Sequence, residues 1–163
     1  MKILVFAFHG FLGQQSDWDF LRKNMPKQFH LLVPDYTRIP GLSPVSGSIS
    51  SWGAQFIGWK QEVYGSLPFV ILGYSQGGRL GLMAMTENDP SCLGGVIISS
   101  SLGVSDSQEL CLKNRLQNDQ KWAQRFLTED FNSVVADWDD QSIFANSTNK
   151  IQRNEDDFNR ELL

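Results

Sequence analysis

The sequence predicts an α/β fold: a mostly parallel sheet with helices on both faces, followed by a helical excursion. Three observations carry this. Short, continuously apolar runs alternate with amphipathic segments through the first hundred residues, as in parallel strands buried on both faces. One run leads through Gly73-Tyr74-Ser75-Gln76-Gly77-Gly78 into an amphipathic stretch, a tight strand-to-helix turn carrying a serine. After about Gly103 the pattern changes, and 107–163 is polar and helix-like with no further buried strand. The division expected is a sheet core over 1–104 and an incomplete helical cap over 105–163.

Each element follows in order. "ILVFAF" (3–8) reads as a fully buried strand, and "SDWDFLRKNM" (16–25) as a short helix capped by Ser16 or Asp17. "FHLLVPD" (29–35) is a second strand, stopped by Pro34. A loop rich in Pro, Gly and Ser runs from Tyr36 to about Ser48. A helix from about Ser50 to Gly65 repeats Trp52, Phe56, Trp59 and Val63 at helical spacing. "PFVILGY" (68–74) is the third strand, 76–88 the helix after it, and "GVIISSS" (95–101) the fourth strand. As the last strand of the pattern, the fourth is expected to form a sheet edge, a template for pairing with another chain.

With 163 residues the chain is long enough for one domain with a real core. It is 41% hydrophobic and 20% charged, ordinary for a globular protein. Its net charge is −4 and its pI about 5.1, with no Lys/Arg run, so nucleic acid is not an expected partner. The apolar run from Ile3 to Phe8 is too short for a signal-peptide core and far short of a membrane span. Membrane association is therefore not expected. Cys92 and Cys111 lack CxxC spacing, which fits a reducing cytoplasm and no metal site.

The chemistry centres on Ser75. Gly73-x-Ser75-x-Gly77 follows a predicted strand and opens a predicted helix, the context in which this motif places a nucleophilic or proton-accepting hydroxyl. The helix N-terminus supplies N–H groups and partial positive charge where an oxyanion would form. "FHGFLG" (8–13) follows the first strand, and in such a sheet its loop lies beside the serine turn. The N–H groups of Phe11 and Gln76 are the candidate oxyanion donors. Arg79 lies one helical turn beyond Ser75 and suits carboxylate binding. Arg115 and Arg153 lie in the excursion, where Arg153 reads equally as a solvated surface charge. The aromatics of 121–147, Trp138 among them, are expected to pack the cap or wall an apolar pocket.

A serine hydroxyl needs a base. The chain has two histidines, His9 and His30, and neither follows Ser75. The order of this motif runs Ser, then Asp or Glu, then His. Asp106 has the position of a triad acid but no later histidine to orient, so a complete Ser-His-Asp site cannot be assembled from these residues.

"HGFLGQQSDW", "GYSQGGRLGLMAM" and above all "KNRLQNDQKWAQRFLTEDFNSVVADWDDQSIFA" resemble the α/β-hydrolase fold family, and within it the pyruvate-eliminating synthases of menaquinone biosynthesis. The resemblance covers roughly residues 4 to 147. It implies Ser75 as the catalytic serine, removing a ring proton rather than forming an acyl-enzyme, with Phe11 and Gln76 at the oxyanion hole. It also implies Tyr74, Arg79, Arg115, Trp138 and, more loosely, Arg153 as contacts to a small substrate carrying several carboxylates. No metal or organic cofactor is implied. The chain departs from that pattern by starting on the strand that is usually third and by carrying "PDYTRIPGLSP" in place of a Gly-x-Gly loop. It also stops before the strands bearing Asp and His, so a C-terminal remainder of the fold is expected. Two rivals share these residues: a carboxylesterase-like serine hydrolase, and a non-catalytic binder of anionic ligands.

Overall fold

Six apolar residues without a charge, Ile3–Phe8, form strand β1 near the centre of a four-stranded sheet. The computed structural model describes residues 2–36, 39, 42, 49–101, 109–144 and 153–158. Beside β1 stand β2 (Phe29–Leu32) and β3 (Phe69–Tyr74), and β4 (Cys92–Ile98) pairs with β3. All pairings are parallel and the order is β2-β1-β3-β4. The chain thus builds outward from β1 in both directions. The carboxyl ends of β1 and β3 flank the point where the order reverses, the place where open α/β sheets bind ligands.

The helices follow from patterning. α1 (Asp19–Asn24) covers one face, where Trp18, Leu21 and Met25 pack on Val5, Ala7, Leu31 and Val33. α2 (Ile49–Tyr64) and α3 (Gln76–Thr86) cover the other, over Leu4, Phe6 and Phe8. Alternate residues of β1 serve the two cores, as the period of a strand requires. The α2 side is aromatic. Phe6 meets Phe56 edge-on at 5.1 Å, Phe8 meets Trp52 at 5.1 Å, and Trp52 stacks on Phe56 at 5.4 Å. Each such pair contributes about 0.5–1.5 kcal/mol beyond its area burial.

Three expectations are corrected. The first helix begins as a 3-10 turn, Gln15–Trp18, and neither Ser16 nor Asp17 caps it. Asp17 instead accepts the N–H of Gln14 at 3.1 Å, reaching back from inside the turn. β2 ends at Leu32, short of the expected 35. β4 runs Cys92–Ile98, three residues before the expected 95–101. Asp89 accepts the Ser91 N–H at 2.7 Å and Phe69 donates to the Ser91 carbonyl at 2.9 Å, so pairing starts at once after that turn. The Gly94-Gly95 pair is absorbed by a register irregularity with Gly94 at φ 127°. Ser99, at φ 51°, then leaves the extended conformation.

The cover of β4 is partial. Ile97 faces the α3 side, so alternation turns Val96 and Ile98 to the opposite face, where they remain 59% and 43% exposed. Helices cover both faces at β1, but the outer face of β4 is open among the described residues.

Lys60 was not foreseen as a core residue. Val63, which continues the apolar spacing of α2, faces solvent, and Lys60 takes the interior place with no exposed surface. Its ammonium donates to Ser91 Oγ at 2.5 Å, lies 3.7 Å from the Asp89 carboxylate and sits over the Phe69 ring at 4.6 Å. Asp89 also accepts from the Ser91 hydroxyl and the Gln61 amide. Burial pushes the Asp89 carboxyl upward, but the Ser91 and Gln61 hydrogen bonds and the Lys60 charge outweigh it and hold the group below its usual range.

The chain divides into two compact units, Met1–Leu102 and Gly103–Leu163. The second holds α4 (Glu109–Thr128) and α5 (Phe131–Asp139), with short 3-10 turns at Ser142–Phe144 and Glu155–Asp157. Phe126, Phe131 and Val134 are its buried centre. Asp130 caps α5 by accepting the Ser133 N–H at 2.9 Å. Arg125 ties the two helices: its Nη2 donates to Asp137 at 2.5 Å, its Nε to Glu129, and its guanidinium lies 4.9 Å over the Trp122 ring. Those hydrogen bonds, Asp137 first, raise its pKa further. No helix among the described residues is long and apolar enough to cross a membrane.

Candidate active site

Ser75 joins β3 to α3 at φ 53°, ψ −117°, in the region that non-glycine residues avoid. The surroundings over-determine it. Its N–H donates to the Ile98 carbonyl at 3.0 Å, and its own carbonyl accepts from Gly78 N at 3.0 Å and Arg79 N at 3.2 Å. The hydroxyl takes no part in capping the helix. Because the helical ladder begins at Gly78 and Arg79, the N–H of Gln76 lies ahead of it, where a helix N-terminus presents donors to an anion.

The glycines of the turn are required by contact. A Cβ at Gly73 would stand 2.6 Å from the Gly78 Cα. One at Gly77 would run into the carbonyl oxygens of Phe8 and His9. The first turn of α3 therefore lies directly on the end of β1. The loop that leaves β1 is equally close, since a Cβ at Gly10 would meet the Ser75 Cβ at 3.2 Å and the Tyr74 ring at 3.1 Å. The loop closes on itself through Gly13 N to the Gly10 carbonyl at 2.9 Å, with Leu12 at φ 56°. Ser75, Gln76, Tyr74 and the loop holding Phe11 thus form one constellation.

The remaining site candidates are described by their own surroundings. Arg79 is half-buried, with no carboxylate partner among the described residues. Arg115 is engaged within its own helix: its Nε donates to both Asp119 oxygens at 2.9 Å. Trp138 packs edge-on against Trp122 at 5.0 Å and lies near Phe126 and Phe144. Arg153 is half-buried just before the last 3-10 turn. Asp106 lies outside the described residues, as does most of the loop from Tyr36 to Ser48.

His30 faces solvent on β2, in register with Leu4 and four residues short of the carboxyl end of β1, or about 13 Å along a strand. His9 stands at the site. Its Nδ1 lies 3.0 Å from the Gly10 carbonyl and 3.2 Å from the Tyr36 hydroxyl, and its ring stacks on Tyr36 at 4.8 Å. Tyr36 is 2% exposed and escaped the sequence reading. The clue available was its place at the carboxyl end of β2, the ligand side of such a sheet. Burial, and then the Asp35 carboxylate, push its phenol far above the usual range, so its hydroxyl stays a donor. Among the described residues no group of three or more His, Cys, Asp or Glu could hold a metal ion. A depression of about 320 Å³ lined by Met85, Asp89, Cys92 and Leu93 lies at the amino end of β4, away from Ser75.

A strained serine between strand and helix, backed by the loop of the neighbouring strand, stands at the carboxyl end of the sheet. The chain belongs to the α/β hydrolase fold family, whose model matches residues 3–147. Within it the chain is similar to 2-succinyl-6-hydroxy-2,4-cyclohexadiene-1-carboxylate synthases. It is 33% identical over 156 residues to that of Shigella sonnei (strain Ss046), covering 93% of this chain and 58% of the relative. With the synthase of Serratia proteamaculans (strain 568) it shares 32% over 139 residues, covering 85% and 53%. With that of Escherichia coli O1:K1 / APEC it shares 34% over 156 residues, covering 93% and 58%. The chain therefore spans a little over half the length of the curated relatives it matches.

Proposed function

We propose that this chain carries the serine half of a lyase site that eliminates pyruvate from a multiply carboxylated cyclohexene precursor in menaquinone biosynthesis. The observation that supports it most is the left-handed Ser75, packed on the 9–13 loop, in a chain about one-third identical to such synthases. In this reading the Ser75 oxygen, relieved of its proton by a base, takes the ring proton and so starts the elimination. The N–H groups of Phe11 and Gln76 hold the oxyanion that develops. Arg79, Arg115 and Arg153 neutralise carboxylates, and Tyr74 and Trp138 give the ring its walls. His30 is remote from Ser75, so in this reading it is not the base. No cofactor enters.

The test is pyruvate release from that precursor by the protein as its own gene encodes it. Ser75→Ala should lower kcat at least a thousandfold. Absence of pyruvate release, or equal rates for the two proteins, would overturn the proposal. A second reading, a carboxylesterase-like hydrolase with Ser75 as acyl-enzyme nucleophile, is favoured by one observation: Arg115 is already neutralised by Asp119. Turnover of p-nitrophenyl acetate without pyruvate release would select it.

A further inference from the structure

We infer that Tyr36 is a positioning residue for the oxyanion loop, its hydroxyl fixing the His9 carbonyl from which that loop departs. The inference rests on the oxyanion role proposed for Phe11 and goes beyond it by naming what holds Phe11 in place. The His9 carbonyl is a pivot. On one side it lies against Gly77 in the first turn of α3, where a Cβ would collide with it. On the other it accepts the Tyr36 hydroxyl at 3.1 Å. Two residues further along the chain comes the Phe11 N–H. A shift of the pivot therefore moves the candidate oxyanion donor relative to Ser75 with little chain between to absorb it.

Tyr36 is well held for this task. Its ring meets Phe8 and Trp52 edge-on at 6.2 Å each and stacks on His9. Trp52 in turn donates from Nε1 to the Leu42 carbonyl at 2.6 Å, tying Leu42 to α2. One hydrogen assignment satisfies the whole group. The Tyr36 O–H points to the His9 carbonyl, and His9 Nδ1–H is shared between the Gly10 carbonyl and the Tyr36 oxygen. The bracing thus runs from α2 through Tyr36 to the turn beside the serine. Leu12, held at positive φ in that turn, needs such a brace to persist.

The test removes the hydroxyl and keeps the ring. Tyr36→Phe and Tyr36→4-fluorophenylalanine, the second filling the space of the hydroxyl, should each slow covalent labelling of Ser75 by a fluorophosphonate about ten- to a hundredfold. The protein used is the one its own gene encodes. Tyr36→4-aminophenylalanine, which keeps a donor, should restore most of the rate. With the pyruvate-releasing substrate, kcat should fall while KM stays within about twofold, a split that loosened packing alone does not produce. Labelling reports on the oxyanion site whatever the substrate is. Slower labelling without pyruvate release would therefore keep this inference and end the synthase reading. Wild-type labelling in both hydroxyl-free variants would overturn the inference, as would failure of both to fold, which makes the hydroxyl a determinant of folding instead. A wild-type protein that does not label would remove it together with the role of Ser75.

Discussion

Arg79 stands one turn into α3 from Ser75 with no carboxylate partner among the described residues, so its charge is uncommitted before substrate arrives. Removing it with Arg79→Ala should lose a charge-assisted hydrogen bond of about 1.5–3 kcal/mol. That appears as about a ten- to hundredfold fall in kcat/KM for pyruvate release. Arg115 differs. Its Nε is held by Asp119, which shares its charge, so Arg115→Ala should cost less than Arg79→Ala unless that pairing gives way to the substrate. Wild-type kinetics in both variants would mark them as ordinary surface charges. At this scale the site was legible where chemistry is local: Ser75 and its glycines sit in one hexapeptide. Tyr36 and Lys60 were not, because their partners lie 27 and 31 positions away along the chain, and nothing near either residue announces the pairing.

Among the elements, α2 shows how far periodicity carries. Trp52 and Phe56 are buried as their spacing predicts, but the stripe ends early, and Lys60 rather than Val63 closes the interior end. A charge at that position argues against burial unless a counter-charge is already known, and Asp89 comes from a turn two elements later. The pair joins the end of α2 to the start of β4. Asp89→Asn leaves the Lys60 ammonium buried without its anion and should destabilise the fold by about 3–5 kcal/mol in denaturant unfolding. The pH dependence has a definite sign. The folded pKa of Asp89 is lowered, so its contribution is complete above the unfolded carboxylate pKa of about 3.9. It is lost as pH falls through the lower, folded value. Acid unfolding of the wild type should therefore steepen below about pH 4, and the Asn variant should lack that component. Equal acid profiles would refute the pairing.

At the scale of the whole molecule, β2 and β4 are the two edge strands of the described sheet, and β4 carries the exposed apolar face. Leu93, Val96 and Ile98 are 57%, 59% and 43% exposed, and among the described residues no further strand pairs with the outer edge of β4. The alternation of strands and helices was readable from the first hundred residues. This exposure was only half readable, since an apolar run reports that a strand wants cover and not what provides it. Residues 1–163 expressed alone should therefore elute heterogeneously in gel filtration, melt without a cooperative transition and release no measurable pyruvate. A monodisperse monomer with a sharp melt would show that four strands suffice.

The backbone of Ser75 also bears on descent. Its left-handed conformation costs a serine about 1–3 kcal/mol that a glycine would not incur. The greater entropy that glycine loses on folding offsets about 0.5–1 kcal/mol of that gain, and work done by the hydroxyl opposes the rest. A gene copy released from the reaction would be expected to drift to glycine here before its core decays. Among diverged relatives, a serine kept at this strained angle is then a record of continuing selection for chemistry, and a glycine is the first mark of retirement.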